Sequence, residues 1–241
     1  MKKLSRARML HVCGATLGIL LSLSLGAGLL PAATFNAAGN ILIADQFNNR
    51  VLEADAFGRI VWQFGLGPHD FSARSIIGVN DAQRVGANTL MVGTGIPANF
   101  IPEAPDGAVD NRVILVDQSK RIIWQYGRFQ QSGSGFNLLN TPVQATWLPT
   151  SHVLITDQGN NRIIEVDLNH RIVWQYPGPN TPELEQLNSP NSAQLLSNGH
   201  ILIADENNNR AIEVSRTRRV VRTYTAGGTS GAVAFASRHV L

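Results

Sequence analysis

The chain has 241 residues, 44% hydrophobic and 15% charged, enough apolar material to bury a substantial core in one or two domains. Its formal charge of +3 resides in the first eight residues, where Lys2, Lys3, Arg6 and Arg8 lie with no acidic residue. Past them 16 basic residues face 17 acidic ones, which excludes the cationic footprint that phosphate binding requires and argues against a nucleic-acid partner.

Residues 1–32 read as a leader. After the cationic start, residues 9–30 carry no Asp, Glu, Lys or Arg. This is the pattern of an export signal, and as a hydrophobic helix the stretch is also long enough to cross a bilayer core of roughly 30 Å. Both a cleaved signal and a membrane anchor through residues 9–30 follow from it. In either case the remainder is exported: periplasmic, extracellular or membrane-anchored. The one cysteine, Cys13, falls inside this segment. The exported part therefore has neither disulfides nor thiolate chemistry.

From residue 33 to 241 one phrase recurs: ILIADQFNNRVLEADAFGRIVWQF from Ile41, NRVILVDQSKRIIWQY from Asn111, VLITDQGNNRIIEVDLNHRIVWQY from Val153 and ILIADENNNRAIEVSRTRRVVRTY from Ile201. Asp157 and Asp205 hold one place in it, 48 residues apart, a period suited to one four-stranded propeller blade. In the last full repeat, strands are expected at 192–196, 200–205, 210–215 and 219–224, rich in Val, Ile and Leu and bounded by Asn and Gly turns. An inner-strand alanine marks each phase, at Ala33, Ala82, Ala145 and Ala193, and Ala232 opens a further inner strand before Leu241. The expected fold is all-β: a β-propeller of about four four-stranded blades plus a partial fifth, with the N-terminal hydrophobic helix ahead of it.

Asp45, Asp157 and Asp205 are expected to end second strands, accepting turn amides, while Arg50, Arg162 and Arg210 open the next strand and reach a carboxylate or carbonyl. Repetition makes this set structural. Trp62, Trp124 and Trp174 in the outer strands have the area to fill the wedge between blades, and Arg222 takes that place in the fourth repeat. The run Arg216, Arg218, Arg219 and Arg222 reads as a charged strand edge. His152, His200 and His239 share one repeat position and are likewise structural.

Outside the phrase stands GPHDFSAR, with His69, Asp70 and Arg74; an adjacent His and Asp can serve as base and ligand. In a propeller, the loop from second to third strand and the linker from outer strand to the next inner strand share one face. That face gathers the insertion at 94–109 and the linkers at 65–79, 127–141 and 177–189. Binding usually resides in variable loops on a rigid frame. The ligand-binding candidates are therefore His69, Asp70, Arg74, Asp81, Phe100, Glu103, Asp106 and Asn137, with an unknown ligand or protein as partner. No catalytic residue and no cofactor is expected. Calcium would have to use Asp81 with the amides of Gln83, Gln144 and Gln194, and one carboxylate among amides is thin for a divalent cation.

The phrase LIADxxNNRVIEVD resembles NHL-type repeats, and AQxLxNGxxLIAD followed by GRIVWQY is more similar to the propeller repeats of bacterial arylsulfotransferase-like proteins. GRIVWQY also resembles the tryptophan-docking repeats of quinoprotein propellers. The resemblance spans nearly all of residues 33–241 and implies a propeller. In the sulfotransferase-like group a histidine acts as nucleophile and His-Asp-Ala-Gln is frequent; this chain has Asn80-Asp81-Ala82-Gln83, with asparagine in the histidine's place. The expected function is a binding or scaffolding module at the cell envelope. The alternatives are an arylsulfotransferase-like or lactonase-like propeller enzyme, and a partial chain whose active centre lies elsewhere.

Overall fold

The computed structural model describes residues 34–225, which form fifteen strands and almost no helix. The expected leader helix, Ala33 and the partial fifth repeat lie outside the described residues. Four antiparallel meanders follow one another: β1 (Ile41–Asp45), β2 (Arg50–Ala54) and β3 (Ile60–Phe64); β4 (Val79–Val85), β5 (Asn88–Ile96), β6 (Ala108–Val116) and β7 (Ile122–Tyr126); β8 (Pro142–Trp147), β9 (Val153–Asp157), β10 (Arg162–Val166) and β11 (Ile172–Tyr176); and β12 (Pro190–Leu195), β13 (Ile201–Asp205), β14 (Arg210–Val214) and β15 (Val220–Thr225). Three sheets have four strands. The first has three among the described residues, since Thr34–Asn40 runs through turns and Asn36 has φ 55°. Each sheet pairs in sequence order, the blade topology that the repeat predicts.

The core is three clusters, one at each junction. At the first, Val51, Trp62 and Phe64 of blade 1 meet Val79, Met91, Ile114 and Val116 of blade 2. At the second, Leu90, Val92, Val113 and Tyr126 meet Val153, Ile155, Ile164 and Val166. At the third, Leu154, Ile163, Trp174 and Tyr176 meet Ile201, Ile203, Ile212 and Val214. Strand side chains alternate between faces, so each blade presents one apolar face backward and another forward. The wedge tryptophans add a directional tie. The indole N–H of Trp62 donates to the carbonyl of Gln118 at 3.1 Å, that of Trp124 to Leu168 at 3.2 Å and that of Trp174 to Arg216 at 3.0 Å, each in the next blade's third-to-outer hairpin.

In blades 1 to 3 an asparagine just ahead of the third-strand arginine, in the second-to-third loop at Asn49 and Asn161 and within β6 at Asn111, ties the same blades at the other end. Asn49, Asn111 and Asn161 sit at φ 50°, 61° and 53°, left-handed geometry that asparagine tolerates better than most residues. Their Oδ1 atoms accept the N–H of Gly78 (2.9 Å), Thr141 (2.8 Å) and Ser189 (2.8 Å), just ahead of the next inner strand.

Asp55, Asp117 and Asp167 open the third-to-outer hairpins, each accepting backbone N–H groups and pairing with Arg59, Arg121 or Arg171. The Arg121 and Arg171 amides hold Asp117 and Asp167 below the usual carboxylate range; at Asp55 burial pushes upward, but the bonds from Arg59 and Phe57 outweigh it. A depressed folded pKa contributes stability above the unfolded value, about 3.9, and loses it as pH falls through the folded value. Thermal midpoints should hold from pH 7 to about 5 and fall below about 4, less steeply in Asp117→Asn than in the parent. A midpoint flat from pH 5 to 3 would refute this assignment.

Candidate functional site

The loop face is built by side chains that pin the linkers down. In blade 3, Asp157 accepts the N–H of Asn140 (2.8 Å) on one oxygen and Arg162 Nε (2.6 Å) on the other, while the Arg162 guanidinium reaches back to the carbonyls of Ser134 and Leu138. Blade 4 repeats this with Asp205, Asn188 and Arg210, whose guanidinium holds the carbonyls of Leu184 and Gln186. The repeated Asp and Arg thus hold the 127–141 and 177–189 linkers, the structural role read from their repetition.

Blade 2 reaches the same arrangement by another route. The strand position held by Asp157 in blade 3 is Gly93, and its carboxylate is replaced from across the insertion by Asp110. A Cβ on Gly93 would fall on the Asp110 carboxylate, so only glycine leaves room. Asp110 accepts the Ile77 N–H at 2.6 Å and pairs with Arg112, which binds the carbonyls of Ala73 and Ser75, both at 2.8 Å. Burial pushes the Asp110 carboxyl upward, with Arg112 and the Ile77 amide opposing it. The insertion is shorter as a free loop than its sequence span suggests, since β5 and β6 extend to Ile96 and from Ala108.

Between the insertion and its neighbours lies an open cleft of about 650 Å³, lined by Phe71 of the 65–79 linker, Ile96, Glu103, Asp106 and Val109 of the insertion and its flanks, and Gln130 of the 127–141 linker. Of the predicted site residues, this cleft brings together Glu103 and Asp106. Phe100 turns the other way and packs on Phe47 of blade 1, ring centroids 4.8 Å apart. Asn137 is engaged locally, accepting the Gly127 N–H at 2.8 Å with φ 52°. Asp81 lies on the inner strand of blade 2 and accepts the Ala145 N–H of blade 3 at 3.1 Å. Its counterpart Gln144 accepts Ala193 N–H at 2.7 Å, and Gln83 accepts Trp147 N–H at 2.7 Å. Three of the four side chains considered for calcium are therefore engaged in ties between inner strands. His69 and Arg74 are exposed on the 65–79 linker, outside the cleft. Beside them Asp70 accepts the Ser72 N–H through Oδ1 (3.1 Å), while its Oδ2 is buried with no hydrogen-bond partner among the described residues.

Phe71 and Gln130 were not among the sequence candidates. Both lie in linkers that the sequence assigned to this face, and the missing signal was which linker residues turn toward the insertion. Among the described residues no group of three or more His, Cys, Asp or Glu is placed to hold a metal ion, and no helix is long and apolar enough to cross a membrane.

Sequential four-stranded meanders, joined face to face through apolar junctions and carrying variable linkers on one face, define a β-propeller protein. Neither a family model nor a curated protein matches the sequence. Solved propellers do match the structure. A streptogramin B lyase aligns with 80% of this chain and 53% of its own at 14% identity and a TM-score of 0.53. Virginiamycin B lyase from Staphylococcus aureus, solved with quinupristin, aligns with 83% and 56% at 14% identity and 0.54. The Pan2 WD40 domain of Neurospora crassa aligns with 79% and 47% at 13% and 0.50. The chain spans about half the length of these structures, and at such identity the likeness is one of fold.

Proposed function

We propose that this chain is an exported propeller, of the NHL or arylsulfotransferase-like type that its repeats resemble, acting at the cell envelope as a binding or scaffolding module through its loop face. The observation that carries the reading is the 650 Å³ cleft, where the chain's one long insertion meets two linkers and sets the carboxylates of Glu103 and Asp106 beside the apolar Phe71, Ile96 and Val109. A concave apolar wall with a few polar groups suits a ligand or a peptide segment better than it suits a reaction. The repeated carboxylates that might have done chemistry, Asp157, Asp205 and Asp110, are occupied in holding linkers. The reading predicts that a photo-cross-linking residue at Asp106 captures an envelope component from cells, that the same residue at Asn169 on the opposite face does not, and that Glu103→Lys abolishes the capture. Equal capture from both faces would refute it.

An enzyme remains the second reading because of the unpartnered Asp70 Oδ2 beside His69. Turnover of an aryl sulfate or a simple lactone that His69→Ala abolishes would establish it; absence of turnover with both probes removes its support.

A further inference from the structure

The basic run of blade 4 divides in the structure. Arg216 reaches Glu165 and Arg222 bonds the Tyr224 hydroxyl at 3.3 Å, whereas Arg218 and Arg219 face a cavity. Comparison with the other blades shows why Arg219 is released. In blades 1, 2 and 3 the third-to-outer hairpin opens on an aspartate that pairs with the arginine four residues on, Arg59, Arg121 or Arg171. Blade 4 builds the same hairpin on Ser215, whose N–H donates to the Arg219 carbonyl while the Arg218 N–H donates to the Ser215 carbonyl, both at 2.9 Å. The serine also keeps the aspartate's second task, since its Oγ accepts the Arg219 N–H at 3.1 Å. What it lacks is the charge. The turn survives, and the Arg219 guanidinium has neither a hydrogen bond nor an ion pair among the described residues.

Arg218 is held from the opposite side. Its Nε donates to the Gln175 carbonyl of β11 at 2.8 Å, and its Cδ lies over Gly178, where a Cβ would come within 2.7 Å of it. These contacts fix the stem and leave both Nη groups uncommitted. The Gly178 N–H in turn donates to Thr181 Oγ1 at 2.9 Å, which closes the linker turn beside the hairpin. Hairpin and linker enclose a cavity of about 440 Å³ that the two guanidinium groups line with Asn180, Thr181, Glu185 and Thr217. Glu185 pairs with neither arginine, so charges of both signs stand in one space without neutralising each other.

We propose that this cavity binds a small carboxylate that also carries hydroxyl groups, a sugar acid. Two arginines and one glutamate sum to +1, the complement of a single negative charge, and the guanidinium fork matches a carboxylate. Glu185 opposes a doubly charged anion and accepts hydroxyl protons instead. Asn180, Thr181 and Thr217 add amide and hydroxyl groups suited to a sugar's hydroxyls, and the lining holds no aromatic ring on which a planar ligand would stack. The cavity shares no residue with the 650 Å³ cleft, so the two sites stand or fall separately.

A magnetic-resonance titration of the isotope-labelled full chain in polyoxyethylene detergent micelles, followed at the arginine Nε–Hε signals, tests this. Glucuronate should shift the Arg218 and Arg219 signals saturably, glucose should leave them in place, and a glucose phosphate should bind more weakly than glucuronate. Ser215→Asp recreates the pairing of the other three hairpins; it should leave the circular dichroism spectrum unchanged and weaken glucuronate binding by about tenfold or more, the effect of losing a charge-assisted hydrogen bond. Gly178→Ala, which sets a methyl group against the Arg218 stem, should weaken it as well. A shift that never saturates, glucose binding equal to glucuronate, tighter binding of the phosphate, or undiminished glucuronate binding in Ser215→Asp would each overturn the proposal.

Discussion

Asp110→Ala lowers the unfolding free energy by about 3–5 kcal/mol, the usual cost of removing one partner from a buried ion pair. Arg112, 1% exposed, would keep its bonds to Ala73 and Ser75 but lose its counter-charge, and the Ile77 N–H would lose its acceptor. The sharper test is a transfer. Gly93 occupies the strand position of Asp157 and Asp205 without their side chain, and its φ is not in the left-handed region, so aspartate fits its backbone. Gly93→Asp alone should destabilise, because its carboxylate competes with that of Asp110 for one space. Combined with Asp110→Gly, which also removes the Asp110 Cβ that lies 2.9 Å from a Cβ at position 93, it should recover about half or more of the loss that Asp110→Gly causes alone, a coupling between sites in contact. Urea unfolding of the parent, Asp110→Gly, Gly93→Asp and the pair measures the cycle. If the pair is as unstable as the sum of the singles, the replacement of one carboxylate by the other is wrong.

That exchange also shows what the sequence could express. Asp45, Asp157 and Asp205 recur at a fixed place before an Asn-Arg pair, and their pairing with Arg50, Arg162 and Arg210 was legible from recurrence alone; the turn backbone amides expected to bond them do not, and Asp157 and Asp205 accept the linker N–H groups of Asn140 and Asn188 instead. The role of Asp110 was not legible, because an insertion separates it from the glycine whose place it fills, and only the fold brings the two together. The tryptophans divide in the same way. Their bulk announced that they fill wedges, whereas the indole bond to a particular hairpin carbonyl depends on the rotation between blades, which no single repeat encodes. The variable face was legible from topology, since loop and linker alternate along every meander. Which residues line its cleft was not: Phe100 and Asn137 were natural candidates from composition, yet one packs on Phe47 and the other closes its own linker turn. Asp81 reads as a lone carboxylate near the channel. Its register, one residue before the inner-strand alanine, instead makes it a tie to the next blade.

The same repetition makes Trp174 the side chain whose loss should cost most at a junction. It is 4% exposed, lies in the cluster between blades 3 and 4, donates its indole N–H to Arg216 and carries the Arg216 guanidinium 5.1 Å from its ring centroid. Arg216 in turn reaches Glu165 at 2.5 Å, and Glu165 also lies 2.7 Å from His152 Nδ1, so one hairpin residue of blade 4 is tied to two elements of blade 3. Trp174→Ala removes the apolar filling, the indole hydrogen bond and the ring beneath the Arg216 guanidinium, while the Arg216–Glu165 pair remains, at about 3–5 kcal/mol for a buried aromatic truncated to alanine. Trp174→Phe keeps much of the area and loses the hydrogen bond, which leaves the Arg216 carbonyl without its indole donor, and should cost about 1–3 kcal/mol. Because each blade contacts only its neighbours, the damage should stay local: hydrogen exchange should accelerate first in β12–β15 while β4–β7 keep their protection. Uniform acceleration across all four sheets would mean that the blades unfold as one unit, and the nearest-neighbour account of this propeller would then fail.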